Sequence, residues 1–305
     1  MLKPTKNSIL GRQFLQECVR SMDMTQKILR FSLTVSALIL TAACATSPLG
    51  RKQLKMMPES QMESMGVQAF AEMKSKQSIE RDPEWNRYIR CIALPIAARS
   101  DSNLPPEKWE VVLFQDSSAN AFALPGGKIG VHVGLLRVAQ TDAQLATVLG
   151  HEVGHVIASH SNERVSETLA VQLGLAGTAA ILSPSGKKNE QNVNLLLAAL
   201  GVGAQFGILL PHSRGQESEA DIIGLKLMAR AGFDPRESTT LWKNMIQEAG
   251  GRAPPEFLST HPASENRIKN LESEIPDVMP EFEAVQAAGK TPRCSRPVMK
   301  SSWKR

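Results

Sequence analysis

The feature that most constrains this chain is a charged pentapeptide inside an apolar helix. Thr141-Asp142-Ala143-Gln144 has the form of a capping box, and it opens a run in which Leu145, Val148, Leu149, Val156 and Ile157 recur at helical spacing. The pattern predicts one helix from there through His155 to about Glu163. His151 and His155 fall i, i+4 on it, so both imidazoles lie on one face and can reach one ion. Glu152 directly follows the first histidine, within reach of a water on that ion as general base. A catalytic zinc takes a third protein ligand and keeps a fourth position open, so the fold must bring another ligand to this face.

His160 is nearest in sequence, but on a continuous helix five residues place it about 140° round from His155. The glycine-linked third histidine of metzincins is absent. Glu217, in Glu217-Ser218-Glu219-Ala220-Asp221, is the better candidate. It shares a helix face with Asp221, so one carboxylate can bind zinc while the other orients a ligand histidine. Glu219 points elsewhere, solvated or in a salt bridge. The alternative is an ordinary acidic first turn, favoured by the helix dipole.

Together these motifs, Ser213-Arg214-x-x-Glu217-x-Glu219-Ala220-Asp221-x-x-Gly224 and Ala231-Gly-Phe-Asp-Pro235 resemble metallopeptidase family 48, which includes the CAAX prenyl protease and the HtpX membrane protease. Gly50-Arg-Lys-Gln-Leu54 and the leader are similar to its periplasmic lipoprotein branch, the LoiP-type proteases. The resemblance covers about residues 50–275. It implies zinc, one per chain, on His151, His155 and Glu217, with Glu152 as base and Asp221 as buttress. Asn120-Ala121-Phe122, in the segment before the zinc helix, resembles the edge strand that binds substrate backbone by β-augmentation; a plain hairpin is the alternative. His261, in Leu258-Ser-Thr-His261-Pro262, resembles a further family motif. It can donate to the tetrahedral oxyanion, fill zinc's open position at rest, or simply cap the following helix. Arg214 pairs with a site carboxylate or lies on the surface.

The N-terminus carries a different signal. Met24 to Arg30 is a short basic segment, Phe31 to Ala43 is apolar or small with serines and threonines, and Leu40-Thr-Ala-Ala-Cys44 ends it. These are the parts of a secretory signal, too short for an ordinary membrane span. A cysteine after small residues resembles the bacterial lipoprotein cleavage site, with Cys44 as the acylated residue. Thr41 departs from the usual Leu or Val, and Ala45 favours the outer membrane. Residues 1–23 belong to neither signal nor domain, so translation can begin at Met22 or Met24. The formal charge of +5 is mostly a leader effect: residues 1–43 hold six basic and two acidic groups, leaving 29 basic against 28 acidic. With one tyrosine besides, neither charge nor stacking points to nucleic acid. Cys18 lies in the leader, which leaves Cys91 and Cys294 as a disulfide candidate in an oxidising compartment, two free thiols being the alternative.

Elsewhere, helices are expected over Glu59–Lys76, Trp85–Ala98 with an interruption at Pro95, Leu169–Leu182, Ser213–Ala231 (opened by a second capping box), Thr239–Ala249 and Ala263–Glu274. Trp109–Phe114 and a hairpin around Pro125-Gly-Gly127 read as strands. Residues 193–210 read as a buried helix or apolar hairpin beside the cleft, or as a membrane span. The expectation is therefore an α+β, predominantly helical, gluzincin-like domain over 59–275. A leader (1–43) and a tether (44–58) precede it, and a tail (276–305), loosely packed from about Pro280, follows. The implied function is a zinc metalloendopeptidase acting on misfolded envelope proteins in the bacterial periplasm, lipid-anchored to the outer membrane. A zinc-bearing envelope scaffold or chaperone with little proteolysis is the rival.

Overall fold

The computed structural model describes residues 44–100, 104–182, 212–249, 256–261 and 265–303. The leader, the apolar 193–210 run and Pro262 lie outside the described residues.

A small ribbon of β1 (Cys44–Thr46) and β2 (Lys52–Leu54) precedes α1 (Glu59–Lys76) and α2 (Pro83–Ala97). Asp82 caps α2, accepting from the Glu84 and Trp85 N–H groups, and Pro83 sits at the first turn, where its missing donor costs nothing. The expected interruption at Pro95 does not occur. The helix passes through it and ends two residues later, because a ring so near the C-terminus removes a single ladder bond. Trp85, Tyr88, Ile89, Ile92 and Ile96 form its buried stripe.

β3 (Glu110–Phe114), β4 (Ala121–Leu124) and β5 (Lys128–His132) form a sheet in the order β3-β5-β4. The expected hairpin is present: β4 and β5 are antiparallel, with Ala123 opposite Ile129, and Gly126 and Gly127 take the positive φ that the turn requires. β3 runs parallel to β5, which leaves β4 on the edge beside the zinc-motif helix.

After the short α3 (Leu135–Val138) comes that helix, α4 (Asp142–Ile157). Thr141 accepts from the Gln144 N–H as expected, but the Gln144 amide oxygen turns back to the Gln140 N–H. The helix stops short of Glu163. Ser159 adopts a left-handed φ of 56°, and α5 (His160–Leu182) starts afresh beyond it. α6 (Arg214–Ala231) has the full capping box, Ser213 and Gln216 bonding reciprocally, and ends at Gly232 in the left-handed region.

The centre of the fold is the crossing of α4 and α6. A Cβ on Gly154 would lie 2.8 Å from the Ala220 carbonyl oxygen, and one on Gly150 would lie 2.9 Å from that of Gly224. Only glycine permits this approach, and it carries the faces of His151 and His155 against those of Glu217 and Asp221. α7 (Glu237–Ala249), α8 (Glu256–Thr260) and α9 (Glu265–Ala287) close the domain, with Leu241, Trp242, Met245 and Phe257 in the same core as Leu145, Leu149 and Val153.

The C-terminal region departs from expectation. α9 runs on through Pro276 and Pro280, with Val278 and Phe282 buried. The tail is packed rather than loose: Cys294 forms a disulfide with Cys91, the Trp303 ring packs at a tilt against Trp85 with centroids 5.1 Å apart, and Arg296 donates to the carbonyls of Leu136 and Ala139. Each proline removes one ladder bond, and burial of Leu271, Val278 and Phe282 along one face holds the helix across both. Among the described residues no helix is long and apolar enough to cross a membrane.

Candidate metal centre

His151 and His155 leave α4 side by side, with ring centroids 4.5 Å apart. The His151 Nδ1 lies 2.9 Å from Asp221 Oδ1, so its Nε2 faces inward, 3.0 Å from the Nε2 of His155. From α6, Glu217 places Oε1 3.4 Å from His155 Nε2 and Oε2 3.5 Å from His151 Nε2. Tetrahedral zinc with bonds of about 2.0–2.1 Å needs donor atoms roughly 3.3 Å apart. Two imidazoles and a carboxylate at these spacings are a donor set that fits zinc.

The local chemistry suits deprotonated ligands. Burial, reinforced by the neighbouring His151, His261 and His160, pushes His155 well below its usual range and keeps it neutral. Burial raises the carboxyls of Glu217 and Asp221, but the charges of Arg267 and the adjacent histidines outweigh it and hold both below the ordinary range. Glu152 differs. It is buried, and burial, helped by the neighbouring Glu217, pushes its carboxyl up despite His261, His151 and a hydrogen bond from the Ala123 N–H. A carboxylate whose charged form is disfavoured by burial is a stronger base than a solvated one.

His261, at the end of α8, enters the cluster itself. Its Nδ1 lies 2.9 Å from Glu217 Oε1 and 3.1 Å from His151 Nε2, while its Nε2 lies 3.4 Å from Glu152 Oε1. The four groups His151, His155, Glu217 and His261 thus face one point. The edge of β4 runs past it. The side chain of Phe122 points the other way, into a separate cluster with Phe70 and Phe114. Asn120 gives its carbonyl to the His132 N–H, and Ala121 is buried in the main core.

Three participants escaped the sequence. His160 is not off the metal face of α4, because it is not on α4. The break at Ser159 swings it back until its Nδ1 is 2.7 Å from the Nδ1 of His155. His212, just before the α6 cap, stacks on His155 at 3.8 Å and meets Arg164 Nη1 at 3.0 Å. Arg267 of α9 reaches Glu217 Oε2 at 2.5 Å and both Asp221 oxygens at 2.6 and 2.7 Å, its guanidinium 3.8 Å above the Trp242 ring. The signal for Arg267 was indirect: two carboxylates on one buried face demand a cation, and the helix after His261 offers one. Arg214, by contrast, lines a cleft of about 680 Å³ with Glu217, Asp221 and Arg267. Glu219 is in a salt bridge, as one alternative had it, but buried rather than solvated.

Comparison with known proteins bears on the same residues. The profile of Peptidase family M48 matches residues 83–275. The mitochondrial metalloendopeptidase OMA1 of Schizosaccharomyces pombe is 38% identical over 219 residues, covering 70% of this chain and 60% of that protein. The OMA1 of Arabidopsis thaliana is 36% identical over 230 residues, 75% of this chain and 44% of its own. The beta-barrel assembly-enhancing protease of Yersinia pestis is 28% identical over 222 residues, 71% and 44% of the two chains. This chain therefore spans about half the length of the curated relatives it matches. The match contains the whole of α4 and α6 with their histidines and carboxylates, and family M48 is one of zinc-dependent metallopeptidases. On these grounds the chain belongs to peptidase family M48.

Proposed function

We propose that the protein is a zinc metalloendopeptidase that hydrolyses peptide bonds of misfolded cell-envelope proteins. The observation that carries this reading is the convergence of His151 Nε2, His155 Nε2 and the Glu217 carboxylate beside a buried Glu152. Zinc held there supplies Lewis acidity to the scissile carbonyl and to the attacking water. Glu152 takes the proton of that water and passes it to the leaving amine. Asp221 fixes the ring of His151, and Arg267 fixes Asp221. The edge of β4 not paired with β5 offers an extended substrate main-chain groups at Asn120, Ala121 and Phe122, the Asn120 carbonyl being taken by the His132 N–H and the Phe122 side chain by the Phe70 and Phe114 cluster.

The placement we favour is the periplasmic side of a bacterial outer membrane, with a lipid on Cys44. Two features support it: the Cys91–Cys294 disulfide suits an oxidising compartment, and β1 starts at Cys44, leaving little slack between an anchor and the domain. No partner beyond protein substrates and the membrane is proposed.

Metal analysis and casein degradation by purified residues 45–305 test the core reading. The wild type is expected to hold one zinc and cleave. Glu152→Gln should keep the zinc and lose about 10²–10⁴-fold in rate, and Glu217→Ala should lose the zinc. A Glu217→Ala protein that retains full zinc affinity removes Glu217 from the ligand set. A second reading, a zinc-bearing scaffold with little proteolysis, draws on His261, whose Nδ1 stands where a fourth ligand would. We place His261 there as a resting-state plug, so His261→Ala should raise casein cleavage; a fall instead assigns it to the oxyanion.

A further inference from the structure

The segment following Cys44 is tied to the domain by more than its short ribbon. Gly50, at a φ of 88°, closes a tight turn in which the Ser47 N–H donates to the Arg51 carbonyl. The turn aims Arg51 inward. Its two Nη atoms meet the two oxygens of Glu163 at 2.5 Å each, a bidentate pair, and its Nε donates to Glu219 Oε2 at 3.0 Å. The Leu49 N–H holds the other Glu219 oxygen at 3.2 Å. Glu219 also faces His160, whose Nε2 lies 3.2 Å from Oε2, and His160 Nδ1 is 2.7 Å from His155 Nδ1. His160, Glu163 and Glu219 are all buried.

Proton positions along this chain follow from its two ends. A carboxylate bound to Arg51 and a backbone N–H is an acceptor, so His160 donates through Nε2 and presents a lone pair at Nδ1. The proton between the two rings then belongs to His155 Nδ1, and the His155 lone pair sits on Nε2, the atom facing Glu217. A ligand histidine is typically oriented by a partner on its other nitrogen; for His151 that partner is Asp221, and for His155 it is His160.

We propose that Arg51, Glu219 and His160 form a positioning relay that fixes the ring orientation and proton position of His155, so that the seating of Arg51 against Glu219 sets the affinity of the metal centre. The inference rests on the metal reading above. None of the three residues touches the reacting atoms. Removing Arg51 takes away the cation that holds Glu219 Oε2 toward His160, and the inter-ring hydrogen bond loses its polarity.

The test is zinc affinity of the full-length chain in detergent by chelator competition, with 15N spectra of the histidines. Arg51→Ala, Glu219→Gln and His160→Ala should each weaken zinc about 10–100-fold, and the double variant Arg51→Ala/His160→Ala should be no weaker than the worse single. Glu219→Gln preserves shape, so it serves if Arg51→Ala folds poorly. Arg51→Lys, a cation without the bidentate fork, should recover part of the loss. Ser166→Ala cuts another anchor of the same segment, the Met56 N–H, and should leave zinc affinity unchanged. The His155 Nδ1 proton should be visible and slow to exchange in wild type and lost in Arg51→Ala. Wild-type zinc affinity in Arg51→Ala and Glu219→Gln, alongside a His155→Ala protein that has lost its zinc, overturns the relay alone. Undiminished zinc binding by His155→Ala overturns the metal reading with it. A second zinc that disappears in His160→Ala would make His155, His160 and His212 a metal site and also overturn the relay.

Discussion

Replacing Arg267 by methionine isolates what the buried cation contributes. The guanidinium is buried and makes three contacts of 2.5–2.7 Å with Glu217 and Asp221, while its plane stacks on Trp242. Methionine keeps most of the volume and the contact with the indole but leaves two buried carboxylates facing each other. Removing one partner of a buried ion pair costs about 3–5 kcal/mol. At roughly 2–4 °C per kcal/mol for a domain of this size, the metal-free protein should melt about 6–20 °C lower at pH 7. The pH dependence has a definite sign. In the wild type both carboxyls are held below their ordinary range, so they add stability above about pH 4 that is lost as pH falls through their folded values. The variant lacks this contribution, so its deficit should be largest near neutrality and close on acidification. Saturating zinc, which neutralises Glu217, should narrow it too. Calorimetric melting of both metal-free proteins between pH 3 and 8, then with zinc, decides the matter. A deficit under about 1 kcal/mol at pH 7, or one that does not shrink in acid, refutes the argument that Arg267 balances these carboxylates.

Gly154→Ala places a methyl 2.8 Å from the Ala220 carbonyl oxygen, against backbone that cannot rotate aside. α4 and α6 must part by roughly half an ångström, costing about 1–3 kcal/mol, and zinc affinity should fall with Tm because His155 and Glu217 ride on opposite helices; unchanged melting and affinity would count against the close approach. At the other end of the molecule, Lys300 Nζ lies 3.2 Å from Glu80 and 3.0 Å from Asp82. Burial raises the Glu80 carboxyl, yet the Asp82 N–H and Lys300 together bring it below its usual range, and Lys300 draws Asp82 down likewise. Their help to tail docking is therefore present above the unfolded carboxylate range and lost in acid. Lys300→Ala should speed hydrogen exchange over residues 290–303 at pH 7 and make progressively less difference as pH falls below the ordinary carboxylate range; an equal effect in neutral and acid solution would remove the pair from the account.

What the sequence determined by itself is local. The i, i+4 spacings put His151 beside His155 and Glu217 beside Asp221 on single faces, because one helical turn fixes those neighbours whatever the fold. The two helix-opening motifs and the Pro-Gly-Gly hairpin were legible for the same reason, their hydrogen bonds closing within four residues. The Cys91–Cys294 pair was reached by elimination among four cysteines rather than by geometry. Only the tertiary structure decided the rest. The left-handed Ser159 turned His160 from a bystander on the zinc helix into the partner of His155, and no periodicity announces one positive φ. Gly150, Gly154 and Gly224 matter through a helix on the far side of each, distant in sequence, and look like weak helix formers until that helix is in place. Arg51, His212 and Arg267 come from separate elements, and each has a meaning only against carboxylates and rings that other elements bring to it. Ligand pairs are a property of one helix, whereas the charges and hydrogen bonds that hold a ligand in its working state come from wherever the chain returns.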